Sequence, residues 1–231
     1  MKVFAISDLH LSNTCDKPMN IFGPVWEGYF EQICKDWVNK VSSDDVVLIA
    51  GDISWAMKLE DAVIDLNEIA KLPGKIIITR GNHDYWWKSL QSIRSNLKPN
   101  MFALQNDSIK IGNYVFCGTR GWTVSEDGQY SVEDKKIFDR ELIRLELSLT
   151  SAQKLLKDGD KLICMIHYPP FNTKLEKSEF MKLFEKYNVD KVIYGHLHGK
   201  NIKAINYVKI NDIEYYLTSC DQVKNTLVEI Y

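Results

Sequence analysis

Five short apolar runs in this chain each end in polar side chains able to hold a metal ion, and no other feature constrains the fold as much. Val3-Phe4-Ala5-Ile6-Ser7 leads into Asp8-Leu9-His10, and Val46-Val47-Leu48-Ile49-Ala50 into Gly51-Asp52. Ile76-Ile77-Ile78-Thr79-Arg80 leads into Gly81-Asn82-His83-Asp84. Leu162-Ile163-Cys164-Met165-Ile166 leads into His167, and Lys191-Val192-Ile193-Tyr194 into Gly195-His196-Leu197-His198. Short runs this rich in Val and Ile, bounded by turn residues, read as strands buried on both faces. In open α/β sheets, sites form outside the carboxyl ends of the strands, where loops from separate strands converge. All five histidines of the chain fall at these ends and none is left over.

What lies between the runs supports a parallel arrangement. Helical stretches are expected near Gly28–Val41, Leu59–Leu72 and Trp86–Leu97, which gives β-α-β units through the first part of the chain. Met101–Leu104, Ile109–Ile111 and Tyr114–Gly118 read as strands, with Gly112-Asn113 as a hairpin turn. From Val132 to about Lys157, the residues Phe138, Leu142, Leu145, Leu149, Ala152 and Leu156 recur in steps of four and three on one helix face. Ser131 with Asp134 resembles a capping box, and Gly159 marks the end. A helix near Lys177–Tyr187 and strands at Ala204–Ile210, Glu214–Ser219 and Leu227–Ile230 complete the chain, with Asn211-Asp212 as a turn. No repeat or long linker divides it, so residues 1–231 are expected to form one α/β domain of two packed mixed sheets with helices outside.

Composition excludes other classes. With 29 basic against 31 acidic residues, the net charge of -2 creates no field for nonspecific nucleic-acid binding. No apolar run reaches the ~18–20 residues of a membrane span, and charge comes too early for a signal peptide. The five cysteines are odd in number and lack a C-x-x-C pair, so neither a disulfide framework nor a thiolate zinc site is expected. Cys117 and Cys164 read as small core residues, and a reducing cytoplasmic location is the expectation.

Mixed carboxylate, amide and imidazole donors suit manganese, iron or zinc better than magnesium or calcium. So many donors exceed the needs of one ion, whereas two ions about 3.5–4 Å apart would use them, with one carboxylate shared. Residues i and i+2 of extended backbone point to the same side, so the D-x-H and H-x-H spacings are expected to aim both side chains at one site. By the same logic His83 diverges from Asn82. Arg120, at a strand end before a Gly-rich loop, admits two readings: a bidentate phosphate contact, or a solvated turn residue packed on Trp122. Arg80 is expected to pair at its strand end. The aromatic segments Asn20–Trp26 and Tyr168–Phe171 read either as substrate walls or as loops tucked back by packing, and specificity is expected to lie in the loops 11–27, 118–131 and 168–176.

In this order, D-x-H, G-D, G-N-H-D, H and G-H-x-H resemble the calcineurin-like metallophosphoesterase family, from Asp8 to His198. The resemblance implies a four-layer αββα sandwich with two divalent transition-metal ions (Mn, Fe or Zn) at the strand ends. Asp8, His10, Asp52 and His198 would hold one ion; Asp52, Asn82, His167 and His196 would hold the other. It also implies hydrolysis of a phosphate mono- or diester by in-line attack of a metal-bridging hydroxide. His83 would serve as substrate contact or general acid, oriented by Asp84, with Asn82 and Arg120 also meeting the substrate. A phosphorylated small molecule or nucleotide-like compound is the expected substrate. A nuclease or cyclic-nucleotide phosphodiesterase is the enzymatic alternative, and a non-catalytic scaffold of the same fold is the alternative from another class. Retention of every ligand favours the enzyme.

Overall fold

The computed structural model describes residues 1–199, 202 and 204–231. Its strands are β1 (Val3–Ile6), β2 (Val46–Ile49), β3 (Lys75–Ile78), β4 (Met101–Ala103), β5 (Ser108–Ile111), β6 (Tyr114–Thr119), β7 (Lys161–Ile166), β8 (Lys191–Tyr194), β9 (Tyr207–Ile210), β10 (Ile213–Leu217) and β11 (Val228–Glu229). The α-helices are α1 (Tyr29–Lys40), α2 (Leu59–Ile69), α3 (Leu90–Arg94), α4 (Val132–Gln153) and α5 (Glu179–Lys186). One sheet has the order β11-β1-β2-β3-β4 and the other β5-β6-β7-β8-β10-β9. Strands β1 to β4 are mutually parallel, as are β6, β7, β8 and β10, while β11, β5 and β9 run antiparallel at the edges.

Alternation along the strands builds three apolar layers. Val3, Ala5, Val46, Leu48 and Ile77 face the second sheet and pack with Phe116, Ile163, Met165 and Ile193. Phe4, Ile6, Val47, Ile49, Ile76 and Ile78 face outward against α1, α2 and α3 through Ile33, Trp37, Ala62, Leu66 and Ile93. On the other flank Val115, Cys117, Leu162, Cys164 and Val192 pack against α4 and α5 through Leu145, Leu149, Phe180 and Phe184. Both faces of the central strands are therefore dry, which accounts for their unbroken apolar runs and gives the αββα sandwich. The five cysteines are free thiols, with Cys117 opposite Cys164 across β6 and β7. No helix among the described residues is long and apolar enough to cross a membrane.

Both expected tight turns form, Ile111 pairing with Tyr114 and Ile210 with Ile213. Asn211 and Asp212 both have positive φ, which a two-residue hairpin turn with matched twist requires. The Ser131 hydroxyl caps α4 by accepting the Asp134 N–H at 3.0 Å. Three elements differ from expectation. The helix expected from Trp86 begins only at Leu90, because the Trp86 and Trp87 indoles donate to Asp84 and Gln105 and hold that stretch irregular. Helix α4 stops at Gln153 and the last strand shrinks to Val228–Glu229. The buried face of α4 also carries Glu141 and Ser148, two polar residues absent from the expected apolar stripe.

Candidate metal centre

The ends of β1 and β2 run on side by side beyond the sheet. The Asp8, His10 and Leu11 N–H groups donate to the carbonyls of Gly51, Asp52 and Ile53 at 3.0, 3.0 and 2.9 Å. This ladder buries Asp8, His10 and Asp52 completely. Their backbone is not extended, as the i, i+2 argument supposed: φ is 57° at Asp8, 46° at His10, 52° at Asp52 and 70° at His196. Left-handed backbone at a non-glycine residue costs of order 1–3 kcal/mol and persists only where surroundings enforce it. Here it turns each side chain off the strand line into the crevice. The Asp8 carboxylate is held by the Ser7 and Ser219 hydroxyls, both at 2.7 Å, and by the His196 N–H at 3.1 Å.

Glycine sets the spacing between the loops after β2 and β3. A Cβ on Gly81 would land on the Asp52 carboxylate and amide, and one on Gly51 would meet the His167 ring and the Gly81 backbone. Asp84 locks the two loops together. Its buried carboxylate accepts N–H bonds from Gly81 (2.7 Å), Asp52 (2.9 Å), Ile53 (2.9 Å) and Ser54 (3.2 Å), and from the Trp86 indole (3.1 Å). Burial, then the Asp52 charge, raise its pKa, while the Gly81, Ile53 and Ser54 amides work against the rise. Asp84 thus corrects one expectation: it faces the backbone that carries Asp52 instead of orienting the His83 imidazole.

From β7 and β8 come His167, fully buried, with His196 and His198 half-buried. The Asp52 carboxylate is the hub, its Oδ2 lying 2.7 Å from His83 Nδ1, 3.4 Å from His167 Nε2 and 3.7 Å from His10 Nε2. Burial would raise the Asp52 pKa, but the His167, His83 and His10 imidazoles outweigh it and hold the carboxyl far below its usual range. His167 donates Nδ1–H to the Ala50 carbonyl at 2.9 Å, so Nε2 turns toward the site. There it meets the Asn82 Oδ1 at 2.8 Å, and the same oxygen lies 2.9 Å from His196 Nδ1. Lone pairs so gathered repel unless a proton or a cation lies among them. Burial lowers the His167 pKa, but the Asp52 charge and hydrogen bond overcome this and push it up to about 9. Burial pushes His10 down to about 3 against the Asp52 charge, and both of its ring nitrogens are buried without a hydrogen-bond partner among the described residues. Burial and the neighbouring His167 lower His196.

Three sets therefore bring donor atoms within 4.8 Å of one another: Asp8, His10 and His198; Asp8, Asp52 and His167; and His10, Asp52 and His83. A metal ion fits this donor set, because imidazole nitrogens buried without a partner and converging oxygens are what a cation would satisfy.

His83, expected to diverge, lies against Asp52 and inside one of the three sets. Arg120 is not among these donors; its guanidinium stacks on Trp122 at 4.8 Å and stands 3.7 Å from Glu141. Arg80 makes no ion pair among the described residues, contrary to the expected strand-end pairing, and its Nε is buried without a partner. One aromatic neighbour, Trp55, escaped the sequence reading, and Trp26 of the 11–27 segment joins it at the site. Trp55 stacks on His10 at 4.7 Å and tilts against His83 at 4.5 Å, and Trp26 lies edge-on to His10 and His198. Position alone, three residues after Asp52, was the available signal for Trp55. In the 168–176 loop the Tyr168 ring lies 4.2 Å from that of His196. Beside them opens an apolar cavity of about 710 Å³, lined by Val124, Tyr168, Phe171, Leu175, Leu197 and Ile205 among others.

Comparison with known proteins bears on this arrangement. The family model for calcineurin-like phosphoesterases matches residues 1–200. An uncharacterized protein of Methanocaldococcus jannaschii, MJ1445, is 30% identical over 128 residues, which cover 53% of this chain and 66%, just under two thirds, of that relative. Among solved structures, TT1561 of Thermus thermophilus has a TM-score of 0.64 at 13% identity, over 98% of this chain and 96% of its own. AQ665 of Aquifex aeolicus, a protein of unknown function, has a TM-score of 0.52 at 16% identity, over 99% and 95%. At such identities these two structures speak to the fold alone.

Proposed function

Because this chain belongs to the calcineurin-like phosphoesterase family, we propose that it hydrolyses a phosphate mono- or diester at a dinuclear centre built on Asp52. Asp8, His10, Asp52 and His198 would hold one divalent ion; Asp52, Asn82, His167 and His196 would hold the other. The observation that carries this reading is the convergence of Asp52 Oδ2, Asn82 Oδ1 and His167 Nε2, beside a His10 ring whose two nitrogens are buried without a hydrogen-bond partner among the described residues. When bound, two such ions would supply a water deprotonated near neutral pH and positive charge for the phosphate oxygens.

The chain's own groups have separable tasks. Asp84 fixes the backbone of the Asp52 loop, and Ser7 and Ser219 fix the Asp8 carboxylate, so the oxygens are aimed before substrate arrives. His83, half-exposed at the mouth of the site, contacts the phosphate or delivers a proton to the leaving oxygen. Tyr168 walls the approach on the His196 side. The substrate is a phosphorylated small molecule or a nucleotide-like compound.

Reconstitution with manganese, iron or zinc, followed by assay on aryl phosphate mono- and diesters, tests the reading. Hydrolysis with two equivalents of metal per chain is expected. His83→Ala is expected to keep that metal and lose turnover, least on esters with good leaving groups. Two bound metals and no hydrolysis of either ester class would favour a scaffold.

A further inference from the structure

The chain has only five arginines, and three of them, Arg80, Arg120 and Arg144, converge where β3, β4 and β6 end. They line a cleft of about 20 Å³ together with Asn106, Thr119 and Glu141. Glu141 is fully buried and is the one carboxylate paired with them among the described residues. It is already occupied: Arg144 donates to its Oε1 at 2.6 Å, and the Thr119 hydroxyl and Gly121 N–H donate to its Oε2 at 2.8 and 3.3 Å. Three guanidinium groups against one carboxylate leave two positive charges uncompensated. The Nε–H groups of both Arg80 and Arg120 are buried without an acceptor among the described residues. Buried donors without partners cost stability, and guanidinium groups find their best partners in planar or tetrahedral oxyanions.

The location gives the cleft its meaning. Arg120 follows β6, one strand outward from β7 and His167; Arg80 follows β3, the strand that leads to Asn82; and Arg144 reaches the same cleft from α4. Arg80 precedes Asn82 by two residues, and the Arg120 carbonyl accepts the N–H groups of His167 and Tyr168 at 2.9 and 3.1 Å. We propose that Arg80, Arg120 and Arg144 form a second anion site, which takes a terminal oxyanion, phosphoryl or carboxylate, beside the metal centre. A volume near that of one water admits the oxygens of such a group and not a whole molecule. The oxyanion is either the far end of a doubly anionic substrate or a free anion bound beside it.

Calorimetric titration of the metal-loaded protein with inorganic sulfate tests the site without any need for hydrolysis. Arg80→Gln and Arg144→Gln are each expected to weaken one sulfate site by about tenfold or more. Thermal melting curves confirm that each variant is folded. Sulfate binding identical in the wild type and in both folded arginine variants would overturn the proposal. The source of the anion is read from the ratio of kcat/KM for a bisphosphorylated ester to that for a simple aryl phosphate. A tenfold fall of this ratio in the arginine variants assigns the site to the substrate; an unchanged ratio with sulfate binding lost assigns it to a free anion. Failure to hydrolyse any ester, with the arginine-dependent sulfate site intact, would count against the hydrolytic reading and leave the anion site standing.

Discussion

The two sheets contribute unlike halves of the candidate centre. Asp8, His10 and Asp52, beyond β1 and β2, are wholly buried and lie in loops that extend the parallel hydrogen-bond ladder past the sheet. His196 and His198, beyond β8, are half-buried, and Ile202, Ala204 and Ile205 border an open apolar cavity. Three left-handed residues and a backbone ladder fix the first half, whereas in the second His196 alone is left-handed and its imidazole, like that of His198, stays half-buried beside Tyr168 or Trp26. Position is built on one sheet and access on the other.

The most damaging test of this division is Asp52→Asn. An amide cannot serve as the charged hub for three imidazoles, so metal content should collapse and kcat/KM should fall at least about a thousandfold, roughly 4 kcal/mol. Elemental analysis beside ester hydrolysis checks it; full metal content would place the hub elsewhere. Next comes Asp84→Asn, which replaces one carboxylate serving four backbone N–H groups and an indole. A loss of about 2–4 kcal/mol in urea unfolding is expected. The pH–rate profile should keep its shape, because Asp84 does not touch His83; a shifted acidic limb would restore the orienting role.

Ser219→Ala probes the point where the halves meet, since Ser219 pairs with Ser7 in an isolated bridge between the sheets and donates to Asp8. About 1 kcal/mol of stability should be lost, with metal affinity lowered several-fold. The mildest change is Tyr168→Leu on the access side. It should leave metal content intact and raise KM a few-fold on aryl esters, which would sharpen the contrast; loss of metal would erase it.

How much of this the sequence disclosed follows the same division. Strand-end donors were readable because a strand buried on both faces leaves an apolar run with a polar stop, and five such stops came in a recognisable order. Two packed sheets with helices outside followed from the same runs together with the helical spacing of Phe138, Leu145 and Leu149, while the four-layer order came from the family resemblance. Left-handed φ at Asp8, His10, Asp52 and His196 was not readable, because Asp and His adopt it only under tertiary enforcement. The placement of Asp84 escaped for a related reason: an acid beside a histidine in sequence looks like its partner, yet the four amides it serves come together only in the folded loops. Glu141 lies outside the apolar stripe read for α4, and its pairing with Arg120 and Arg144 accounts for its burial.

The bridge from Ser7 to Ser219 and the hydrogen bond from Val3 N–H to the Tyr231 carbonyl bind opposite ends of the chain at the root of the Asp8 loop. The order of synthesis therefore matters. Asp8 is made well before the Ser219 hydroxyl that steadies it and the His196 N–H that it accepts. Pairings this distant in sequence are slow to form, so a fragment that stops short of β10 lacks the support on which the Asp8 carboxylate rests.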